Sequence, residues 1–444
     1  MRKSRKKGVV LIAVLWLVML LTVICASVER SSRLNTKLNA AGNDALRCKW
    51  AARAGIETAV AVLNDDLRAS DSLSDLWSDN EYDFTEIQME NCMFNVEVFD
   101  ESGKLNINCV TKDQLMMLTD MTEEIADSII DWRDANDLPN ANGAEVGYYL
   151  NLQFPYIIPN GPFKTVRELL LVKGVTEELL FGEDTNFNGL LDYNEKDGAK
   201  NPPNDNSDNI LDKGWIEYLT CYSLDTNTDA DGNAKININT ADQSTLVNSL
   251  GLSQANANWI IQNRPTSGFT SIVDLISSQT SGQTGSQAGG QGQGQSQTGG
   301  QATGQSTALD MSTFTTIADK ITVDTNDTYS GKVNINTAPR EVLMALFSNT
   351  ANAQILADSI ISYRDGLPEG MTSIAEVLNV PSMNTDTFRT LSRYITVRAN
   401  VFSIRSFAYT TYDGLNRSVL RTEAVVDRSS LPIKVLYWYQ DRTN

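Results

Sequence analysis

The sequence predicts an α+β fold: a long N-terminal helix packed on an antiparallel sheet, with a large α-helical insertion separating the strands. Three observations lead there. An uncharged apolar run, Val9–Ala26, continues without Pro into a helix-like stretch, Ser27–Asn64, rich in Ala, Leu and Arg. Strand-like alternation occurs at Met93–Asp100 (MFNVEVFD) and again near the C-terminus, in ITVRANVFSIRSFAYTTYDG, LNRSVLRTEAVVDR and PIKVLYWYQD, with a turn at Asp413-Gly414. Between these strands lies a block of helical periodicity that occurs three times.

The N-terminus reads MRKSRKKGVVLIAVLWLVMLLTVICASVERSSR. Arg2, Lys3, Arg5, Lys6 and Lys7 precede Gly8, and the apolar run begins at once, with no polar spacer. A run of this length spans a bilayer as a helix and exceeds the apolar core of an ordinary secretory signal. The basic flank would stay cytoplasmic, placing the rest of the chain on the far side. A plain signal anchor is one reading. The other follows from a resemblance: a basic leader ending in Gly, then a membrane helix running into an amphipathic one, is similar to the prepilin family. That resemblance implies cleavage by a leader peptidase between Gly8 and Val9.

With 444 residues the chain has room for two to four domains. Its formal charge is −19, and removing the five leader cations leaves −24 (−19 minus 5). Such a balance argues against sequence-independent nucleic-acid binding, which depends on Lys and Arg neutralising phosphates, and it suits cations. There is no His, so His-based acid–base catalysis, Ser-His-Asp triads and His-ligated metals are excluded. Cys25 lies in the apolar run; Cys48, Cys92, Cys109 and Cys221 match no zinc spacing. One or two disulfides are open to them in an oxidising compartment, and buried thiols are the alternative.

Three stretches correspond: GKLNINCVTKDQL (103–115), AKININTADQSTL (234–246) and GKVNINTAPREVL (331–343). Each is followed by A-x-x-I-I-x-x-R, as ADSIIDWR (126–133), ANWIIQNR (257–264) and ADSIISYR (357–364). Ala, both Ile and the Arg stem share one helix face. Capping boxes follow at Thr165 with Glu168, Ser271 with Asp274 and Ser373 with Glu376. Same order and same content make this an internal repeat, each unit being strand, helix, helix and capped short helix. The pattern is similar to helix-hairpin-helix (SAM-like) domains. In DNA-binding members a Gly-apolar-Gly hairpin presents backbone N–H groups to phosphate. Here the hairpins LVKGVTEEL, SLGLSQA and LNVPSMN lack the paired glycines, which favours a packing or protein-contact module. The Gln/Gly/Ser/Thr stretch 277–306 has no periodicity and reads as a disordered loop.

DTNFNGLLDYNE, Asp184 to Glu195, fits an EF-hand-type calcium loop. Asp184, Asn186, Asn188, the Leu190 carbonyl, Asp192 and Glu195 fall at the ligand positions, and Gly189 falls at the turn. Calcium takes oxygen ligands only, so the lack of His is no obstacle. Three formal negative charges imply an affinity of roughly 10⁻⁵ to 10⁻³ M, that of extracellular modules. A weaker candidate stacks Asp225, Asn227, Asp229 and Asp231 before Gly232, without a closing Glu. DANDLPNANGAE (134–145), with Asp134, Asn136, Asp137 and Glu145, reads as a solvated turn.

Over nearly its full length the chain resembles the minor pseudopilin K family of type II secretion systems. The resemblance rests on KKGVVLIAVLWLVMLLT, DESGKLNIN, DWRDANDLPNANGAEVGYYL, NGPFKTVRELLLVKGVTEELL and the NINTA blocks. It implies a pilin-like fold interrupted by a helical domain, bound calcium, and a place at the pseudopilus tip. The implied partners are the minor pseudopilins I and J, other pseudopilins and the prepilin peptidase. The implied location is the inner membrane before assembly, with the bulk of the chain periplasmic, and no nucleic acid is expected. Pilins carry Glu at the fifth mature position; here that position is Ala13, as in the K family. The expected division is leader 1–8, membrane helix 9–26, pilin-like helix and first strands 27–108, helical insertion 109–391 and closing strands 392–444. Repeats lie near 103–180, 234–276 and 331–391. Two departures stand out: three repeat units where the family norm is two, and a calcium loop in an expanded segment, Phe181–Tyr218. The alternative is a minor pilin or receptor of a DNA-uptake or type IV-like pilus. An enzyme finds no support: there is neither His nor G-x-S-x-G, and no paired carboxylates stand out.

Overall fold

The structure, a computed structural model, describes residues 6–184, 191, 195, 209–276, 308–412 and 415–441. The stretch 277–306 and the turn at Asp413-Gly414 lie outside these residues, and so does most of the loop between Asp184 and Glu195.

One helix, α1 (Lys6–Asp65), covers both the apolar run and the stretch after it. Its two halves differ. Through Leu46 the large apolar side chains are exposed, whereas Cys48, Ala52, Ile56, Ala59 and Leu63 are buried. These five recur every three or four positions, so they form one stripe of the helix. Small residues on that stripe bring the helix axis close to the sheet. Gly55 is the tightest point: a Cβ there would stand 2.4 Å from Ser406 Oγ and 2.9 Å from Val96 Cγ2.

The sheet has five antiparallel strands, β1 (Ile87–Met89), β2 (Cys92–Asp100), β3 (Val401–Tyr412), β4 (Leu415–Asp427) and β5 (Lys434–Asp441), ordered as numbered. β2 buries every second residue, with Cys92, Phe94, Val96 and Val98 turned inward. β2 and β3 are neighbours, with Val96 opposite Ser406 and Asp100 opposite Phe402. The insertion therefore leaves the sheet at the end of β2 and returns at the start of the adjacent strand. The stretch read as a strand from Ile395 splits in the structure. Ile395–Thr396 pairs in parallel with Val333–Asn334 inside the insertion, and the sheet strand starts at Val401. No disulfide is formed; Cys48 on α1 and Cys92 on β2 lie buried thiol to thiol.

Within the insertion each repeat builds a helix pair. The second members are α2 (Glu123–Arg133), α3 (Gln254–Gln262) and α4 (Ala353–Arg364). Leu105–Asn106, Ile236–Asn237 and Val333–Asn334 are two-residue strands, each paired in parallel with a later segment: Leu219–Thr220, Ile321–Thr322 and Ile395–Thr396. All three capping boxes form, on 3₁₀ turns rather than α-helices. The apolar residues of the three units share one core, separate from the core between α1 and the sheet.

Arg428, just past β4, is 1% exposed. Its guanidinium donates to Asp66 (2.7 Å), to Asp71 and to the Ala399 carbonyl (3.2 Å), and lies over the Phe402 ring at 4.7 Å. Trp77 meets the same ring edge-on, 5.1 Å between centroids. Burial opposes the arginine's charge, but Asp71 and Asp66 outweigh it and raise its pKa. Removing one partner of a buried pair strands the other charge, at a cost of about 3–5 kcal/mol. Arg428→Met is accordingly expected to lose about that much stability in urea titrations of the detergent-solubilised chain, part of it restored by adding Asp71→Asn. A loss below about 1 kcal/mol would mean that the cluster does not anchor the fold.

Candidate functional site

Three sets of residues bear on function: the exposed half of α1, the polar clamps of the repeats, and the carboxylates where the insertion meets the sheet.

The exposed half of α1 is long and apolar enough to cross a membrane. Gly8 and Val9 lie within its first turns. Val10, Leu11, Ile12, Leu15 and Trp16 are each more than half exposed, so nothing among the described residues covers them.

The repeats carry a polar device that periodicity alone did not reveal. In each N-I-N, the first Asn accepts the backbone N–H of the second: Asn106 from Asn108 (2.9 Å), Asn237 from Asn239 (2.8 Å) and Asn334 from Asn336 (3.1 Å). The second Asn then grips one later residue by both backbone groups. Asn108 holds Phe163, Asn239 holds Phe269 and Asn336 holds Met371, at 2.7–3.1 Å. The Arg closing A-x-x-I-I-x-x-R turns back to two carbonyls at the start of its unit. Arg133 donates to Ile107 and Val110, Arg264 to Ile238 and Ala241, and Arg364 to Ile335 and Ala338. These arginines satisfy buried carbonyls. They are not a surface for phosphate. The recurrence of a polar residue at one position of an otherwise apolar face was the available signal.

At the junction, adjacent carboxyls behave oppositely. Burial pushes Asp100 up to about 6, because its donors, Thr337 (2.7 Å), Asn334 (2.8 Å) and the Ser102 amide (2.6 Å), are all neutral. Burial also opposes ionisation of Glu101, but Lys104 at 3.0 Å, with Thr220 and Ser403, more than offsets it and lowers its pKa. Glu217 is held down to about 2: Arg405, Lys104 and Lys213 together overcome its desolvation, and both terminal nitrogens of Arg405 lie 3.1 Å from the same oxygen.

Of the proposed calcium loop, Asp184 and Glu195 are buried, at 7% and 1% exposure. Asn186, Asn188, Leu190 and Asp192 lie outside the described residues. The loop's base is braced: Gly182 bridges Lys213, the Glu183 amide donates to the Asp212 carbonyl (2.9 Å), and the Glu183 carboxylate accepts the Asp212 amide (2.9 Å). The weaker set is engaged within the protein. Asp225 pairs with Lys332 at 3.2 Å, the Asn227 amide donates to the Asn326 carbonyl, and Asp229 accepts the amides of Asp231 and Asn233.

Two sequence models of one family match: the first-domain model of type II secretion system (T2SS) protein K over residues 93–181, and the T2SS protein K model over 236–296 and 333–398. The chain belongs to the type II secretion protein K family. A protein K from Pseudomonas aeruginosa is 30% identical over 200 residues, 39% of this chain and 59% of the relative. One from Pectobacterium carotovorum is 39% identical over 61 residues, 14% of this chain and 19% of the relative. The chain thus matches less than two thirds of the length of these curated relatives. The crystal structure of the GspK-GspI-GspJ complex from the enterotoxigenic Escherichia coli type 2 secretion system aligns with 91% of this chain and 99% of that one, at 13% identity and a TM-score of 0.49. An endonuclease/exonuclease/phosphatase family domain-containing protein of Xenopus laevis is 31% identical over 174 residues, 39% of this chain but only 24% of that protein. Protein K is a component of the secretion machinery and not an enzyme.

A depressed acid stabilises the fold above its unfolded pKa and stops doing so as pH falls through the folded one. For Glu217 the contribution is complete above about pH 4.5 and disappears towards pH 2. Glu217→Gln should therefore flatten the dependence of stability on pH across that window, measured by urea titrations at pH 5, 4, 3 and 2.5. Parallel wild-type and variant curves would show that the Arg405 pair adds nothing.

Proposed function

We propose that this chain is a minor pseudopilin that caps the pseudopilus of a type II secretion system, assembling with the minor pseudopilins I and J and supporting protein export across the outer membrane. The observation that carries the reading is the division of α1 in a member of the protein K family: one half lies bare and apolar, the other is locked to the sheet. The bare half suits the inner membrane before assembly and the packed helices of a filament afterwards. Exchanging lipid for helix neighbours keeps an apolar surface in apolar surroundings. Cleavage between Gly8 and Val9 by the prepilin peptidase would leave Ala13 in place of the usual fifth-position Glu, which suits a subunit with none above it. The bulk of the chain is then periplasmic.

The repeat units read as helix-hairpin-helix modules working in packing and protein contact. In the turns before α2 and α3, left-handed backbone falls at Asp120 (φ 59°) and Gly251 (φ 68°). An Asp at such a turn repels phosphate, and the clamping arginines face inward. Both features weigh against the DNA-uptake alternative, as does the net charge. Calcium is proposed at Asp184–Glu195, where two carboxylates are already buried and the chain on either side is braced. There Asp184, Asn186, Asn188, the Leu190 carbonyl, Asp192 and Glu195 would supply its oxygens. Calcium would neutralise those carboxylates and stiffen the segment.

Two measurements test this. Full-length chain co-expressed with its I and J pseudopilins and purified through a tag in mild detergent should bring both down in equal proportion. Recovery of neither, or of nucleic acid in their place, would overturn the tip assignment. Separately, Asp184→Ala or Glu195→Ala should lower the melting temperature in calcium buffer to the value seen with chelator. Wild-type melting of both variants in both buffers would rule the loop out as a calcium site.

A further inference from the structure

Two of the cysteines face each other across the core between α1 and the sheet. Cys48 is 0% exposed and Cys92 2% exposed, and their thiols are hydrogen-bonded to one another. The register of helix and strand puts them there. Gly55 lies against β2, since a Cβ on it would stand 3.0 Å from Phe94 Cδ2 and 2.9 Å from Val96 Cγ2. Two helical turns back along α1, about 10.5 Å, stands Cys48. Two to four residues back along β2, about 7–13 Å, stands Cys92, on the same inward face as Phe94 and Val96. Helix and strand run in one direction here, so both steps end at the same place. Cys109 and Cys221 differ. Burial raises both thiols, and the groups acting on them are Arg133 for the first and Glu101 and Glu168 for the second, not another thiol.

Cys48 also marks a border. No described residue upstream of it on α1 is buried, so the sheet's hold on the helix begins at this side chain. Further along, that hold is reinforced by the close approach at Gly55 and by the Arg428 pair with Asp66. Next to Cys48 the buried residues are Ala51 and Ala52, whose small side chains remove little apolar area from water. A covalent link adds most at such a border, where one continuous helix passes from unsupported to packed. We propose that Cys48 and Cys92 close into a disulfide when the chain enters an oxidising compartment, stapling the first packed turn of α1 to β2. The inference rests on the proposed function in one respect: the packed part of the chain must lie in the periplasm, where disulfides form and persist.

Closure needs an oxidant, and thiol–disulfide exchange with an oxidised dithiol carrier supplies it. The thiolate of one cysteine attacks the carrier's disulfide, a mixed disulfide forms, and one carrier sulfur leaves as a thiolate. The thiolate of the second cysteine then attacks the first cysteine's sulfur. The carrier departs as a dithiol, having taken up two electrons and the two protons that the cysteines gave up. Only the thiolate attacks, and in the folded protein burial and the neighbouring Cys48 push Cys92 up to about 11. Exchange therefore precedes the docking of α1 on the sheet, while both sulfurs are in water, and the core then closes over the bond. A bond covered in this way is out of reach of reductants until the protein unfolds.

The test has two arms. In the first, the full chain is reduced and denatured, refolded into detergent with oxidised and reduced glutathione, then denatured again with an alkylating agent and digested. Mass spectrometry should recover a disulfide-linked peptide pair carrying Cys48 and Cys92, with Cys25, Cys109 and Cys221 alkylated. The chain so refolded should melt roughly 5–10 °C above the same chain refolded in a reductant. In the oxidising buffer Cys48→Ala, Cys92→Ala and the double variant should melt about alike, because each removes the same bond. Alkylation of both cysteines in the refolded wild type, or a double-variant loss equal to the sum of the single losses, would overturn the proposal. In the second arm the chain is taken from its own cells with thiols blocked at lysis, and the same peptide pair is expected. A bond made on refolding but missing from cells would uphold the pair and count against the periplasmic placement. A bond missing from both would sink the pair and leave that placement standing.

Discussion

The constraint on which the fold depends is one buried cation at the place where chain segments far apart in sequence converge. Arg428 meets Asp66 just beyond α1, Asp71 in the connection that follows, and the Ala399 carbonyl where the chain re-enters the sheet. The Ala399 amide donates in turn to Asp71 at 2.7 Å. The position of α1 on the sheet is thus fixed electrostatically at one end and sterically at Gly55. Ridges of apolar side chains tolerate small slides, whereas an array of directed hydrogen bonds around an arginine does not.

The same logic mounts the insertion. Asn334, in the third repeat, donates to the Asp71 carbonyl and to the Asp100 carboxylate, so the Arg428 cluster and the end of β2 share one side chain. Glu101 gathers Lys104, Thr220 from the end of the first repeat and Ser403 from β3. The insertion is therefore not a bead on two flexible leads: its first and third units are bonded to the residues that close the sheet. Each unit is itself closed by an Asn clamp and an Arg, which replace the long hydrogen-bonded ladders that two-residue strands cannot offer.

Much of this was legible in the sequence, and what escaped was of one kind. Patterns carried by local periodicity came through: α1, the alternation of β2, the helix faces and all three capping boxes. Interactions between residues distant in sequence did not. Nothing around Arg428 distinguishes it from a surface arginine following a strand, because Asp66 and Asp71 precede it by 362 and 357 positions. The strand at Ile395 was misread because a two-residue parallel pairing with Val333 has no periodicity of its own. Glu145 was assigned to solvent because its neighbours are Asn, Gly and Pro, the residues of exposed turns. In the structure those same residues let the loop fold tightly over Asp131.

Burying so many acids in a chain already at −19 is costly, and the structure shows two solutions side by side. Where a basic residue can reach, as Arg405 does for Glu217 and Lys104 for Glu101, the pair is internal and constant. Where none reaches, as at Asp100, neutral donors alone meet the carboxylate and burial pushes its pKa up to about 6. An internal pair keeps its acid ionised below the usual carboxylate range, as for Glu217, whereas neutral donors leave burial in control, as for Asp100. The sheet and α1 are thus set by built-in charge pairs, and the junction with the insertion combines one paired acid, Glu101, with one held by neutral donors, Asp100.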